Sequence, residues 1–361
     1  MIKKYWLLIL IVAYYTCKNK TSGPITGLEV ITMHSEFSNK PDFILDTTFI
    51  PLEFCEDCII GDFTKVLKLE DGFVISDKQI SGQVYKFSDK GIFQFRIGNK
   101  GDGLGNYVLP FDISLVPGTD RLAVLDQNQQ KILFYALSDG SFIEEIPINF
   151  QAKSIHFISP NKLAIHFDGQ FSGLEKDSLA GILDLKSNEY TYKGVFDFSK
   201  TDQNLTAGDF FETPIDLLFS KSLNDTVYRV TEKGFFPKYR LDFGTKTVSD
   251  DIKVLPVMDM RMKMMQEMPF YHNGNIIENE GYLFFLWWGD DEFEIMSVWE
   301  KEKKLLYNYN GRELIFKRPF YIDDEFMYCF LTNADYENLD AEQPFLGLSE
   351  NHLIIKLTLK E

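Results

Sequence analysis

Short runs of alternating apolar and polar residues, separated by turn residues, follow one another along most of the chain. Alternation with a period of two is typical of strands, and long helical patterns are nearly absent. Aromatic residues make up 15% of the chain, with 33 Phe and 17 Tyr, and such side chains favour strands and packed sheet faces. The pattern therefore predicts an all-β protein built from many short antiparallel strands.

The predicted strands recur in similar units. Asp71–Asp77 and Asp120–Asp126 each combine a turn, an apolar strand and a final aspartate, and the two final aspartates lie 49 residues apart. Each is followed by a second strand, at Gln83–Gly91 and Lys131–Gly140. Weaker copies of the unit cover residues 152–196, 215–243, 275–308 and 319–359. Repeats of about 40–50 residues with four strands are the signature of propeller blades. The sequence predicts a six-bladed β-propeller with four-stranded antiparallel blades.

The ring of a propeller must close, because open end blades would expose sheet edges and apolar faces. Phe43–Leu52 has a strand pattern but no blade of its own. We predict that it pairs with Leu353–Leu359 in the last blade. Two separate β-domains would need a Pro/Gly/Ser-rich linker in the middle of the chain, and no convincing one is found. We therefore assign residues 41–361 to the propeller.

The N-terminus has the pattern of an export signal. A short basic start, Met1–Lys4, precedes the apolar run Tyr5–Tyr15, which is too short to span a bilayer as a mature helix. Cys17 follows this run directly after the small residue Thr16. This arrangement resembles a bacterial lipoprotein signal, in which the cysteine becomes the lipid-modified N-terminus.

The signal departs from the lipoprotein pattern at two positions, because Tyr14 and Tyr15 replace the usual Leu and small residue. An ordinary signal peptide cleaved nearby is the alternative. We assign residues 1–17 to a lipoprotein-type signal and residues 18–40 to a polar tether. We expect an outer-membrane lipoprotein of the cell envelope. No acidic residue directly follows Cys17, so the periplasmic and surface faces both stay open.

A set of short motifs runs through nearly the whole mature chain: Phe49–Glu53, Ile60–Gly61, Val66–Leu69, Ile75–Asp77, Val84–Phe87, Gly91, Gly101–Tyr107, Asn224–Gly234 and Leu241–Gly244. With these motifs the chain resembles the six-bladed β-propeller lipoproteins of Bacteroidetes-type bacteria, which are similar to NHL-type propellers. In the family's glycine turn, Leu104 replaces a proline and Asn106 a glutamate. The resemblance implies a fold and a compartment, and it brings no catalytic residues.

The charge balance excludes one class of partner. Asp and Glu number 54 against 37 Lys and Arg, which gives a net charge of −17. Binding a polyphosphate would work against such a surface, so we expect no nucleic-acid partner. We expect contact with the membrane through the lipid anchor only.

The cysteines favour a disulfide over a metal site. Cys55 and Cys58 form a C-x-x-C motif. A structural zinc site needs four ligands, and Cys329 and the five scattered histidines supply no second pair at ligand spacing. We expect a local disulfide between Cys55 and Cys58, a buried thiol at Cys329, and no metal or other cofactor.

Six of the ten methionines lie within Val257–Met268. Because Pro256 precedes this stretch, we predict a short amphipathic helix in an insertion between blades. Thioether clusters can bind Cu(I), but an adaptable packing surface is the interpretation that we favour. If the methionines are exposed, they form a lid or a partner site.

Two acidic turns supply the ligand-binding candidates. An apolar strand ends at Trp288 and leads into Asp290 and Asp291, and a second acidic pair is Asp323 and Asp324. Indole rings and carboxylates together can bind sugars or cations; solvated turn charges are the alternative. Motifs of known nucleophiles and metalloproteases are absent from the sequence, and we assign no catalytic residue.

The sequence leaves two functions open. An export signal, a propeller and no catalytic set favour a binding or scaffold module for a glycan, a peptide or an envelope protein. The alternative is a lyase or hydrolase whose acids come from several blades and meet in the central channel. Three or more carboxylates or histidines within reach of one metal ion would favour the enzyme.

Cys17→Ser tests the anchor. We expect the variant to lose incorporation of labelled palmitate and to move from the membrane fraction to the soluble envelope fraction, because the acylated sulfur is absent. Thr16→Ala is the matched control, since it keeps a small residue before the cysteine and should stay lipidated. Equal labelling of Cys17→Ser and the unaltered chain would contradict lipidation.

Overall fold

The computed structural model describes residues 27–38, 43–167, 180–194, 208–253, 255–289, 294–311, 314, 318–332 and 352–360. These residues form six antiparallel sheets, five of four strands and one with an added fifth strand. The innermost strands of successive sheets contact one another around a closed ring. The predicted six-bladed β-propeller is confirmed.

The first two blades contain the tandem units found in the sequence. Before them come β1 (Glu29–Thr32) and β2 (Ile44–Pro51). Blade 1 consists of β3 (Lys65–Leu69), β4 (Gly72–Asp77), β5 (Gln83–Ser88) and β6 (Phe93–Arg96). The connection to the next blade contains the short parallel pair β7 (Asn99–Lys100) and β8 (Asn106–Tyr107). Blade 2 consists of β9 (Asp112–Leu115), β10 (Arg121–Asp126), β11 (Lys131–Ala136) and β12 (Phe142–Pro147).

The other four blades follow in chain order. Blade 3 consists of β13 (Ala152–Ser159), β14 (Lys162–Phe167), β15 (Ala180–Asp184) and β16 (Glu189–Gly194). Blade 4 contains β17 (Gly208–Glu212), β18 (Leu217–Lys221), β19 (Thr226–Thr231) and β20 (Gly234–Asp242). Blade 5 consists of β21 (Tyr271–Glu278), β22 (Tyr282–Trp288), β23 (Glu294–Glu300) and β24 (Leu305–Asn310). Blade 6 contains β25 (Pro319–Ile322), β26 (Phe326–Leu331) and β27 (Leu353–Leu359).

The N-terminal strand β2 closes the ring. It pairs antiparallel with β27 from Ile44 opposite Leu359 to Pro51 opposite Leu353, and it becomes the outermost strand of blade 6. The predicted closure is confirmed. Phe43, just before β2, is buried and its ring lies 5.5 Å from that of Phe284 in blade 5. The closing segment therefore binds the last blade and also contacts its neighbour.

Strand β1 corrects the assignment of the tether. It pairs in parallel with β20 at the outer edge of blade 4, so residues 29–32 do not act as a free tether. Ile31 is fully buried in the cluster that contains Leu241, and the N–H of Met33 donates to the carbonyl of Asp242. A four-residue strand is too short for its alternation to identify it, and its partner lies far away in the sequence.

The insertion between blades 4 and 5 is helical. It contains a 3-10 turn (Gly244–Lys246), α1 (Asp250–Lys253) and α2 (Val257–Glu267). The predicted methionine-rich helix is confirmed, and it begins directly after Pro256. Met260 is buried against the blade, whereas four methionines are 42–67% exposed: Met258, Met262, Met265 and Met268. Within the described residues, neither helix combines the length and apolar character needed to cross a bilayer.

The aspartate that ends the second strand has the same role in blades 1 and 2. The carboxylate of Asp77 accepts hydrogen bonds at 2.8–3.0 Å from the backbone N–H groups of Gly61, Ile80 and Ser81. The carboxylate of Asp126 accepts them at 2.6–3.2 Å from Val108, Asn128 and Gln129. In both blades the aspartate joins the turn after its own strand to the segment that enters the blade. The sequence repeat therefore reflects a repeated structural contact.

A buried carboxylate joins blades 4 and 5. Glu278 at the end of β21 is fully buried, and it forms ion pairs with Lys238 of blade 4 and Lys301 of blade 5. The hydroxyl of Tyr239 donates to it at 2.7 Å. Burial alone would raise the pKa of Glu278, but the two lysines outweigh this effect and lower it. The carboxylate is therefore charged and fully paired.

Asp126→Ala tests the repeated aspartate contact. We expect a loss of about 2–3 kcal/mol in the free energy of unfolding, because several backbone donors lose their only buried acceptor. Urea denaturation followed by tryptophan fluorescence measures it. Asp120→Ala, in an exposed turn of the same blade, is the control and should change the free energy by less than about 0.5 kcal/mol. Equal effects of the two substitutions would contradict the assigned role.

Candidate functional site

The innermost strands β3, β9, β13, β17, β21 and β25 surround a central channel. A cavity of about 1110 Å³ lies in this channel, and residues of all six blades line it. The innermost strands begin at one end, where Lys65, Asp112 and Asp209 meet, and we name this the upper end. The lower end is where these strands finish. Because each innermost strand is short, the residues at its start and its finish define the two mouths of the channel.

Lys65 reaches across the upper end of the channel. Its Nζ atom lies 3.0 Å from Asp112 Oδ1 in blade 2 and 3.4 Å from Asp209 Oδ1 in blade 4. Blade 4 stands opposite blade 1 in a ring of six, so one lysine connects two opposite walls. We name the contacts of Lys65 with the two aspartates the cross-channel ion pairs.

The Lys65–Asp112 ion pair is largely buried, whereas the side chain of Asp209 is 36% exposed. Asp112 also accepts the backbone N–H of Ile155 in blade 3 at 2.7 Å, so four blades meet at this point. Burial raises the pKa of Asp112 to about 6, although the charge of Lys65 opposes this shift. Burial opposes the charge on Lys65 as well, but the two aspartates outweigh it and hold the pKa of Lys65 above its ordinary value. Lys65 is therefore a cation at neutral pH.

A second lysine lies close to these ion pairs. Lys78 follows β4, and its Nζ atom lies 4.1 Å from the centroid of the Phe111 ring. Burial lowers the pKa of Lys78, and the charges of Asp112 and Asp209 offset part of that shift. The backbone N–H of Lys78 donates to Thr64 Oγ1 at 2.9 Å, which holds this segment against the start of β3. The channel therefore presents a positioned and partly desolvated ammonium group.

Further along the channel, a neutral histidine faces a carboxylate. His156 of β13 is buried, and burial lowers its pKa to about 3. Its Nε2 atom lies 3.9 Å from Glu212 Oε2 at the end of β17. Burial also raises the pKa of Glu212. Since His156 is uncharged at neutral pH, it provides Glu212 with a polar neighbour but no countercharge.

Aromatic side chains provide the apolar part of the wall. Six of them line the cavity: Phe111, Phe210, Phe211, Phe320, Tyr321 and Phe330. Such faces bind apolar or ring-bearing groups, and the charged residues beside them can orient a ligand. The cavity therefore has the mixed lining of a small-molecule or peptide site.

The structure separates the candidate residues taken from the sequence. Trp288 ends β22 and stacks on Tyr271, with the ring centroids 6.4 Å apart, at the end of blade 5 where β21 begins. Asp323 lines the cavity at the finish of β25, where its carboxylate accepts the N–H groups of Glu325 and Phe326. Asp324 is exposed in the same turn. Trp288 lies beside the start of β21, at the upper end, whereas Asp323 follows the finish of β25, at the lower end. The two residues therefore do not form one site.

Two further candidates, Asp290 and Asp291, lie outside the described residues, as does Cys17. A role of Trp288, Asp323 and Asp324 in ligand binding stays a prediction. Among the residues that the structure describes, no group of three His, Cys, Asp or Glu side chains is arranged to hold a metal ion.

The C-x-x-C motif lies away from the channel. Cys55 and Cys58 are bonded to each other, with Cα atoms 5.1 Å apart, in the connection between β2 and blade 1. Cys329 in β26 is a buried free thiol, and burial raises its pKa. These cysteines belong to the framework of the propeller.

Sequence reasoning missed the charged residues of the upper end. Lys65, Asp112 and Asp209 stand at or near the start of three innermost strands. The sequence repeat is clearest in the second and third strands of blades 1 and 2, and the innermost strands lie outside it. The available signal was a charged residue at the start of a short strand in successive units. The convergence of Lys65, Asp112 and Asp209 across the ring depends on the closure of the propeller.

Fold and channel together define a six-bladed β-propeller with a ligand-sized central cavity. The model of a family described as a domain of unknown function, DUF4934, matches residues 28–353, and the chain belongs to this family. No curated protein matches the chain.

Two crystal structures show the same fold. One is a Bacteroides fragilis protein described as exported; it has a TM-score of 0.75 and 17% identity, over 92% of this chain and 100% of that one. The other is a DUF4221 family member from Bacteroides vulgatus, with a TM-score of 0.53 and 11% identity over 88% and 97% of the chains. At these identities the likeness concerns the fold alone.

His156→Gln tests the burial of the channel histidine. The pKa of His156 is about 3 in the folded protein and 6.5 ordinarily, so the unfolded chain binds the proton more tightly. The stability that neutral His156 contributes is fully present above pH 6.5 and is lost progressively as the pH falls towards 3. We expect the melting temperature of the variant to fall less between pH 6.5 and 4 than that of the unaltered protein. Circular dichroism melts measure this, and equally steep losses would contradict it.

Proposed function

We propose that the protein is an exported, lipid-anchored binding module whose ligand occupies the central channel. The observation that carries this proposal is the cavity of about 1110 Å³, lined by all six blades with aromatic, cationic and anionic side chains. Ligand sites are typically concave and largely apolar with a few placed polar groups, at about 300–1,000 Å³. The channel cavity lies just above this range of volumes and combines apolar walls with a few placed polar groups.

The N-terminus supports the location. The apolar run before Cys17 and the polar residues after it match an anchored, exported domain, and one structurally similar protein is described as exported. Strand β1 then fastens the chain to blade 4. The residues available as a tether are therefore fewer than the sequence pattern alone indicates, and the propeller is held near its anchor.

The ligand that we propose is a glycan, a peptide or a segment of an envelope protein. Phe210 and Phe320 offer stacking faces for sugar rings or side chains, and Asn273 and Arg318 line the same cavity with hydrogen-bond donors. The exposed methionines of α2 support an additional scaffold contact, because flexible thioether side chains adapt to varied partners. That contact is separate from the channel, since no residue of α2 lines the cavity.

One observation favours the enzyme as a second candidate. Asp112 and Glu212 come from different blades, and burial raises the pKa of both carboxyl groups. Shifted carboxyl groups in a cleft are a feature of acid–base catalysis. Asp112 is bound by Lys65 and Ile155, so Glu212 is the more available of the two.

The variant Leu67→Trp/Leu115→Trp tests channel binding. Both leucines line the cavity, and two added indole groups reduce its volume. We expect at least about a tenfold loss of affinity for envelope glycans and peptides captured by the full chain, a change of about 1.4 kcal/mol. Mass spectrometry of the retained molecules and calorimetry of each one measure this loss.

The matched control is Ile143→Trp/Leu305→Trp, which places the same groups at exposed positions of outermost strands. Unchanged capture by the channel variant would contradict the proposal. Chemical conversion of the captured molecule, lost in Glu212→Gln while capture persists, would support the enzyme instead.

A further inference from the structure

We propose that the upper end of the channel binds the single anionic group of a small amphipathic ligand, with Lys78 as the contacting cation and the aromatic wall holding the ligand's apolar body. This inference rests on the proposed function, because it narrows the proposed glycan or peptide to one that carries a single anionic group and an apolar part. The anionic group is a carboxylate or a phosphate.

Both aspartates at the upper end already accept hydrogen bonds from groups of the protein. Asp112 accepts from the Lys65 ammonium group and from the N–H of Ile155, and Asp209 accepts from Lys65 and from the N–H of Phe210 at 2.7 Å. Lys65 thus offsets one of the two negative charges at this point. Asp112 uses both of its carboxylate oxygens in these contacts, and Asp209 uses Oδ1.

Lys78 is a further cation at the upper end. Its side chain lines the cavity, and among the described residues no carboxylate oxygen lies within ion-pair distance of its Nζ atom. No described residue accepts a hydrogen bond from this ammonium group, whose nearest aromatic contact is the Phe111 ring. The ammonium group of Lys78 faces the cavity, where an anionic ligand could accept a charge-assisted hydrogen bond from it.

The surroundings of Lys78 favour an apolar body on that ligand. The ring of Phe111 contacts the ammonium group of Lys78, and Phe210 and Phe211 line the same cavity from blade 4. A ligand anion on Lys78 therefore brings the rest of the molecule against aromatic faces. Small purely ionic species would leave these faces uncovered.

The charge of the whole chain favours a ligand with one anionic group. The cavity itself has a mixed lining, with Asp209, Glu212, Glu294 and Asp323 beside Lys65, Lys68, Lys78, Lys153 and Arg318, whereas the whole chain carries a net charge of −17. A polyanion would meet repulsion on approach to this acidic chain. A single anionic group can reach Lys78 while the remainder of the ligand stays uncharged.

Two fluorescent dyes that share one scaffold test the inference. Anilinonaphthalene sulfonate carries an anionic group, and N-phenylnaphthylamine is its uncharged counterpart. The protein is the full chain with Cys17→Ser, which removes the lipid and the need for detergent. We expect the unaltered channel to bind the sulfonate about tenfold more tightly than the uncharged dye, because one charge-assisted hydrogen bond separates them.

Lys78→Met removes the charge and keeps the length of the side chain. We expect it to weaken the sulfonate about tenfold and the uncharged dye at most about twofold, whereas Lys78→Arg keeps the preference. Lys90→Met, in an exposed turn of blade 1, is the control and should change neither affinity. Competition by octanoate and by octyl phosphate then identifies which anionic group the site prefers.

Equal affinity of the sulfonate for the Lys78→Met variant and the unaltered channel would overturn this inference. If the uncharged dye still binds the unaltered channel and binds more weakly to the Leu67→Trp/Leu115→Trp variant, the result supports binding in the channel. In that case only the proposed role of Lys78 is contradicted. If neither dye binds, this inference fails, and the capture experiment with the channel variant tests the proposed function separately.

Discussion

The pairing of β2 with β27 is the contact on which the whole ring depends. Each blade buries its faces only against its neighbours, so an open ring would expose the faces of blades 1 and 6 together. Strand β2, which precedes blade 1 in the sequence, completes the sheet formed by β25, β26 and β27. The cores on both sides of blade 6 draw on this pairing, because Phe49 packs with the cluster of blade 5 and Ile50 with that of blade 1. The central channel exists only because this closure brings six innermost strands around one axis.

The channel shows how the protein accommodates charge in a confined space. Burying an unpaired charge is costly, and Lys65 with its two aspartates meets that constraint across the width of the ring. Glu278 meets it between blades 4 and 5 with two lysines and a tyrosine. Lys78 differs from both, because its ammonium group faces the cavity beside Phe111 rather than a carboxylate of the described residues. That contrast distinguishes groups that hold the ring together from a group available to a ligand.

The repeat visible in the sequence is carried by polar contacts as much as by apolar faces. Asp77 and Asp126 recur because each joins a turn to the segment entering its blade. Tyr85 and Tyr135 stand at different positions of their third strands but make a similar contact, since their hydroxyl groups donate to Ile59 and Gly105 in the connections between blades. Blades that lack these contacts are recognised less easily in the sequence, although their strands pair in the same order.

The sequence by itself determined the strands, their grouping into six blades, the closing strand and the helix after Pro256, because alternation, turn residues and proline act over a few neighbouring positions. Only the tertiary structure decided the site. Lys65 and Asp209 come from opposite blades, and Trp288 and Asp323 are separated although both end apolar strands. Likewise, β1 is short and finds its partner through burial of Ile31 rather than through a pattern of its own. Local periodicity specifies which residues form strands, whereas the closure of the ring specifies which side chains meet across its axis.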